Sequence, residues 1–290
     1  MSGDRRWKPV LGPVGRILLA TVLVGGAVAA AQVVVKRLRG VLSLSEAVPA
    51  LYYLAYLLIS VIVAYFVYRA YVHLVEKRTV SELSGNGAPK ELGLGTLIGL
   101  GLVAVTVVLL WTVGFYGVLG VNSLAVIFVS LANDGAGAFV EEIILRGIIF
   151  RITEERLGTW VALAISVLLF ALLHLAGPGA TIASTIVVGV EGGILLSAAY
   201  VFTRRLWLAI GIHFGWDFSQ DALFGVGRGA EGVLQGELGG PWLLSGGSAG
   251  IEGSVVALLL CLVVSVYLLV GARQKGNFIS PGGDRQRTVR

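Results

Sequence analysis

Charge is scarce in this sequence. Only 13% of its 290 residues are charged, 56% are hydrophobic and the mean hydropathy is +0.88, whereas a soluble domain carries about a quarter charged residues to solvate its surface. A water-soluble globule is excluded. Cysteine is nearly absent as well: Cys261 stands alone inside an apolar run, so no disulfide framework is available, and a chain this apolar is not disordered. The net charge of +5 does not mark a nucleic-acid partner, because Lys and Arg form short clusters between apolar runs and at the ends, the placement expected of membrane topology. Histidine is the third scarcity. Of His73, His174 and His213, the last two fall inside apolar runs, where a polar group is costly and marks function.

Runs of about 20 apolar residues, the length of a membrane-crossing helix, predict an all-α polytopic bundle of about eight transmembrane helices. They lie near 14–35, 47–72, 97–121, 124–150, 158–176, 180–203, 204–222 and 252–271. Alternating topology puts Arg5, Arg6, Lys8, Arg16, Arg69, Lys77, Arg78, Lys90, Arg151, Arg156, Arg204 and Arg205 on one side. Arg273, Lys275, Arg285, Arg287 and Arg290 fall on that side too. The positive-inside rule makes it cytoplasmic, N-in and C-in, in the cell membrane, with Lys36, Arg37 and Arg39 in conflict and Arg228 outside. The expected organisation is a cytoplasmic tail 1–13, a transmembrane domain 14–271 with its motif core at about 124–222, and a basic cytoplasmic tail 272–290. The first run exceeds a signal-peptide core and a basic cluster follows it, so it is expected to stay as an anchor. Segment 80–92 reads as a turn-rich cytoplasmic connection and 225–250 as an external loop. Glycines at small-xxx-small spacing, Gly95 with Gly99, Gly189 with Gly193 and Gly211 with Gly215, are expected to bring helix backbones close. The clusters Gly93–Gly99 and Gly225–Gly229 do not have the context of a phosphate loop.

Polar residues stand inside these runs, among them Asp134, Glu141, Glu142, Arg146, His174, Glu191, His213 and Asp217. At mid-helix an ionised residue opposes insertion by about 2.5–3.5 kcal/mol, so the set must face inward. Glu142 and Arg146 are four apart on one helix face, acid first, the favourable order for an ion pair. Glu141 is turned about 100° away and has no such local cation. Phe170 lies one turn before His174, and His213 one turn before Asp217, so each histidine has a bracing neighbour. Five carboxyls against one arginine require either protonated acids or a bound cation. Asp134 and Glu191 are expected to make interhelical hydrogen bonds, and His73 to be interfacial.

At these residues the sequence resembles the CPBP family, the intramembrane CAAX proteases and bacteriocin-processing peptidases of Abi type. The family pattern is Glu-Glu-x-x-x-Arg, Phe-x-x-x-His and His-x-x-x-Asn/Asp on successive helices. Here it falls on Glu141, Glu142 and Arg146, on Phe170 and His174, and on His213 and Asp217. The resemblance covers roughly 130–225 and implies hydrolysis of a peptide bond in a membrane-associated peptide or protein. It implies Glu141 as the base that activates water, His174 as its helper, and His213 and Asp217 at the oxyanion, with Glu142, Arg146 and Phe170 in support. An ionised aspartate repels an oxyanion, so Asp217 is better placed to orient His213 or to share a cation.

Two questions stay open. The favoured mechanism needs no cofactor, yet Glu141, His174 and His213 are also the ligand types of a hydrolytic zinc, or another divalent cation, with an open water position. Helical rise puts Glu141 about 22 Å from Arg156, His174 about 24 Å from Gly158 and His213 about 12 Å from Arg205. Straight, untilted helices would not bring the three level, which calls for tilt, shifted boundaries or a break near Gly177-Pro178-Gly179. Two other function classes fit the same acids: a non-enzymatic immunity or partner-binding protein, and an ion-coupled transporter.

Overall fold

A computed structural model describes residues 11–42, 49–177, 179–227 and 231–282. Arg5, Arg6, Lys8, Pro178, Arg228, Gly229, Arg285, Arg287 and Arg290 lie outside them, with most of the expected N-terminal tail and the end of the C-terminal one. The order of elements is α1 (Pro13–Leu42), α2 (Pro49–Tyr71), α3 (Ala88–Thr112), β1 (Tyr116–Val121), α4 (Val126–Glu142), α5 (Arg151–His174), α6 (Ile182–Thr203), α7 (Trp207–Phe218), β2 (Leu234–Leu238), α8 (Trp242–Ser245) and α9 (Val255–Gln274). Three π-helical segments extend them: Val72–Glu76 after α2, Ile143–Phe150 between α4 and α5, and Ser219–Leu223 after α7. The class is all-α with one two-stranded sheet.

Among the described residues six helical stretches are long and apolar enough to cross a membrane. The apolar runs expected at 124–150 and 158–176 form one of them, Val126–His174, 49 residues long and broken at Gly158 (φ 80°, ψ 168°). The C-terminal segment stitches this break: Thr159 donates its amide to the Ile279 carbonyl at 3.0 Å, and the Ile279 amide donates to Thr159 Oγ1 at 2.9 Å. The 204–222 run becomes α7, 12 residues with the π turn behind it.

The run expected at 97–121 is misplaced. Its helix is α3, which starts at Ala88 behind left-handed Gly87 (φ 73°) with a proline in its first turn, so it takes in the end of the expected 80–92 connection. Left-handed Gly114 (φ 78°) follows the helix end, and Tyr116–Val121 pairs antiparallel with Leu234–Leu238, Tyr116 opposite Leu238. The external loop 225–250 is therefore partly regular. Hydropathy cannot separate a strand from the helix end it follows when both are apolar.

Small-xxx-small pairs set the packing. Gly95 and Gly99 of α3 meet Gly211 and Gly215 of α7: a Cβ on Gly99 would strike the Ile212 carbonyl oxygen, and one on Gly215 the Thr96 carbonyl oxygen. Gly189 and Gly193 of α6 press on Val167 and Ala171 of α5 in the same way. Where lipid supplies no hydrophobic drive between helices, such backbone contact supplies the dispersion that holds them.

One end of the bundle gathers basic residues. Arg16 of α1, Glu76 of the first π turn, and Arg151 and Glu155 of α5 form a buried network: Arg16–Glu76 at 2.5 Å, Arg151–Glu76 at 2.7 Å and Arg151–Glu155 at 2.8 Å. Arg78 binds Glu82 at 2.6 Å, and the Tyr68 hydroxyl lies within hydrogen-bond reach of both Glu82 and the Gly147 carbonyl. Arg151, expected in a cytoplasmic turn, is thus fully buried inside a continuous helix. A linear sequence gives such a charge no depth, and its partner Glu76 is 75 residues away. At the other end the conflicting cluster has aromatic company, Lys36 lying 5.8 Å from the Tyr56 ring centre and Arg39 4.6 Å from that of Tyr52.

Candidate active site

The three expected motifs converge. Glu142 and Arg146 form the predicted pair, Arg146 Nη1 donating to Glu142 Oε1 at 2.8 Å, both side chains with no exposure. The same Oε1 lies 3.0 Å from Nδ1 of His213 on α7. Arg146 also donates to the Gly192 carbonyl of α6 at 2.9 Å, and its guanidinium sits 5.1 Å from the Phe170 ring centre. One ion pair thereby ties α4, α6 and α7 around the site.

Glu141 sits differently from its neighbour. Its side chain is 46% exposed, and its Oε2 lies 3.9 Å from His213 Nε2. The partner that local spacing could not supply comes from α7. Asp217 Oδ2 stands 3.3 Å from the same Nε2, so His213 meets a carboxylate at each ring nitrogen, and an imidazolium with both N–H groups satisfies the two together.

His174 Nδ1 lies 2.8 Å from the Phe170 carbonyl oxygen. A carbonyl only accepts, so Nδ1 carries the proton and the neutral ring has its acceptor at Nε2. The imidazole stacks on Phe170 with centroids 4.5 Å apart and planes at 25°, as the motif spacing predicts. Phe170 also reaches His213, centroids 6.1 Å apart. The motifs therefore meet; α5 is broken at Gly158, and helix also gives way between His174 and Ile182, the stretch of the expected break, whose Pro178 lies outside the described residues.

A cavity of about 40 Å³ opens beside these groups, and Phe170, His174, His213 and Asp217 line it together with Glu191, Glu252 and Cys261. That is room for a water molecule. The sequence marks Glu191, and Cys261 only as a lone cysteine in an apolar run; Glu252 and Gln220 stand outside any motif and give no signal. Asp134, expected to hydrogen-bond between helices, has a buried Oδ2 without a hydrogen-bond partner among the described residues. His73 is exposed at the end of α2.

The conceivable metal ligands Glu141, His174 and His213 do not gather as one. No three His, Cys, Asp or Glu groups among the described residues form a set that could hold a metal ion, and both nitrogens of His213 face carboxylates. The π-helical Ile143–Phe150 begins directly after Glu142. Such widened turns recur at functional sites, and helical periodicity in sequence does not reveal them.

Residues 123–219 match the family model described as Rce1-like, type II CAAX prenyl endopeptidase Rce1-like. That segment is CPBP-like. It holds every motif residue from Glu141 to Asp217 and covers about a third of the chain. The likeness of this segment is to a family of membrane proteases, and the six apolar helices fit a multi-pass membrane protein. No curated protein and no solved structure matches the chain.

Proposed function

We propose that this protein is an intramembrane endopeptidase that hydrolyses a peptide bond of a membrane-associated peptide or protein, in CAAX-type or bacteriocin-related processing. The observation that carries the reading is the pairing of Glu141 with His213 at 3.9 Å. Two groups that each hydrogen-bond one water at about 2.8 Å, at a right angle, stand about that far apart. Glu141 takes a proton from this water while its oxygen attacks the scissile carbonyl carbon. His213 Nε2–H donates to the oxyanion, and collapse breaks the C–N bond as Glu141 hands its proton to the leaving amine. His174 assists Glu141, Asp217 orients His213, and the Glu142–Arg146 pair fixes both from behind.

A metal-free route is part of the proposal. It is supported by the two carboxylates on His213, which engage the nitrogens that a zinc ion would need. An N-in, C-in orientation in the cell membrane is likewise proposed, supported by the basic residues gathered at one end of the bundle. The test is cleavage of a membrane-anchored peptide by purified protein: Glu141→Gln abolishes it with folding intact, and a chelator leaves the wild-type rate unchanged. Full activity of Glu141→Gln removes the mechanism.

A further inference from the structure

The basic end of the bundle holds a second pocket, which shares no lining residue with the cavity at His213. Its volume is about 690 Å³, and Arg69, His73, Lys77 and Arg78 are among the side chains that line it. The chain turns at left-handed Lys77 (φ 51°), so residues 78–80 face the same space as residues 69–74. No Asp or Glu lines it among the described residues. The neighbouring carboxylates are engaged: Arg16, Arg78 and Arg151 meet Glu76, Glu82 and Glu155, three against three. Arg69 stands outside that network. Its guanidinium donates to the Tyr65 hydroxyl at 2.9 Å and lies 6.0 Å from the ring centre, contacts that hold the group in place and leave its charge uncompensated.

The same face of the helix is apolar on the way to Arg69. Leu58, Ile62, Phe66, Arg69 and His73 follow at helical spacing, one stripe, and all five are exposed. From Leu58 to Arg69 the stripe rises about 16 Å, close to half of the ~30 Å hydrocarbon core and so the depth of one leaflet. An apolar stripe that ends in a cationic pocket is the complement of an acyl chain with an anionic head. We propose that Arg69, with His73 and Lys77, binds the phosphate of an anionic phospholipid whose acyl chain lies along Leu58, Ile62 and Phe66. A guanidinium offers a phosphate two parallel N–H groups, and a pocket of this volume accommodates a whole lipid head group. A zwitterionic lipid brings its own cation against Arg69 and Lys77. Inorganic phosphate has the same charge to offer and nothing to lay on the stripe.

The site is tested on the purified full chain in a neutral detergent, titrated with phosphatidylglycerol, phosphatidylcholine or inorganic phosphate. Melting temperature and native mass spectrometry follow the binding. Wild type gains stability saturably with phosphatidylglycerol and retains one such lipid, whereas the other two probes at the same concentration bind at least tenfold more weakly. Arg69→Gln weakens phosphatidylglycerol binding by about tenfold or more, the worth of one charge-assisted hydrogen bond. Lys90→Gln removes the same charge from an exposed residue outside the pocket and leaves binding unchanged. The polar contacts of Arg69 are both with Tyr65, so the variant is expected to fold; if it does not, His73→Gln takes its place. An equal response to the two lipids, an equal response to inorganic phosphate, no saturation, or equal weakening by the pocket variant and Lys90→Gln overturns the site. None of these readouts depends on cleavage, so the peptidase reading stands or falls separately.

Discussion

Glu142 Oε1 is shared between two helices: it receives Arg146 Nη1 at 2.8 Å and faces His213 Nδ1 at 3.0 Å. The pair that looks from sequence like a local i, i+4 folding device is also what aims the imidazole of α7. In the proposed peptidase, stability and catalysis therefore rest on one oxygen atom.

Glu142→Gln leaves the Arg146 guanidinium buried without its counter-charge. The expected loss is about 3–5 kcal/mol of stability, read as a fall in melting temperature in detergent. The double replacement Glu142→Leu with Arg146→Leu removes both charges and recovers much of that stability, yet it stays inactive because His213 has lost its anchor. Recovery of cleavage in the double variant refutes the anchoring role.

Glu141→Gln has the opposite profile. Its side chain is 46% exposed and carries no buried ion pair with arginine, so the melting temperature holds. The rate falls by about 10²–10⁴-fold, the worth of a general base. A non-enzymatic immunity or partner-binding protein would keep its function in this variant, whereas an ion-coupled transporter would be told apart by transport in liposomes.

Glycine contacts can be tested within one helix. Gly99→Ala drives a methyl into the α7 backbone, whereas the same change at Gly101 meets nothing within 4 Å. Gly99→Ala is expected to cost about 1–3 kcal/mol or more, seen as a lower yield of folded protein. Gly101→Ala is silent or slightly stabilising, since alanine is the better helix former.

Acid should loosen the basic end of the bundle. Burial alone would raise the Glu82 carboxyl, but the hydrogen bond and charge of Arg78, with Arg151 and Tyr68, hold it down at about 2 from an ordinary 4.5. A folded-state value below the unfolded one contributes stability above about pH 4.5, and that contribution is lost as pH falls toward 2. It amounts to the order of 3 kcal/mol. Acid unfolding of Glu82→Gln, followed by circular dichroism across this window, should be flatter than that of wild type.

Much of the site is legible because its determinants are local. Glu142 with Arg146, Phe170 with His174 and His213 with Asp217 are each one helical turn apart, and Gly95–Gly99 and Gly211–Gly215 announce close approach. Sequence does not say what each meets. That Glu141 faces His213, that the two glycine pairs face each other, and that Arg151 is buried on Glu76 are all long-range facts. The strand at Tyr116–Val121 hides in an apolar run continuous with α3, and the π turn after Glu142 hides in the helical period itself.

The glycine contacts also say how the site is held. With no side chains between their backbones, α3 and α7 form one rigid unit carrying His213 and Asp217, and α5 and α6 form another carrying Phe170, His174 and Glu191. Neither helix of a unit slides or turns on its mate without a backbone collision. The cavity is lined from both units, and the Glu142–Arg146 pair, which reaches the Gly192 carbonyl of α6 and His213 of α7, joins one to the other. In the proposed peptidase the groups that meet the substrate are therefore carried by two backbone-locked pairs linked through a single ion pair.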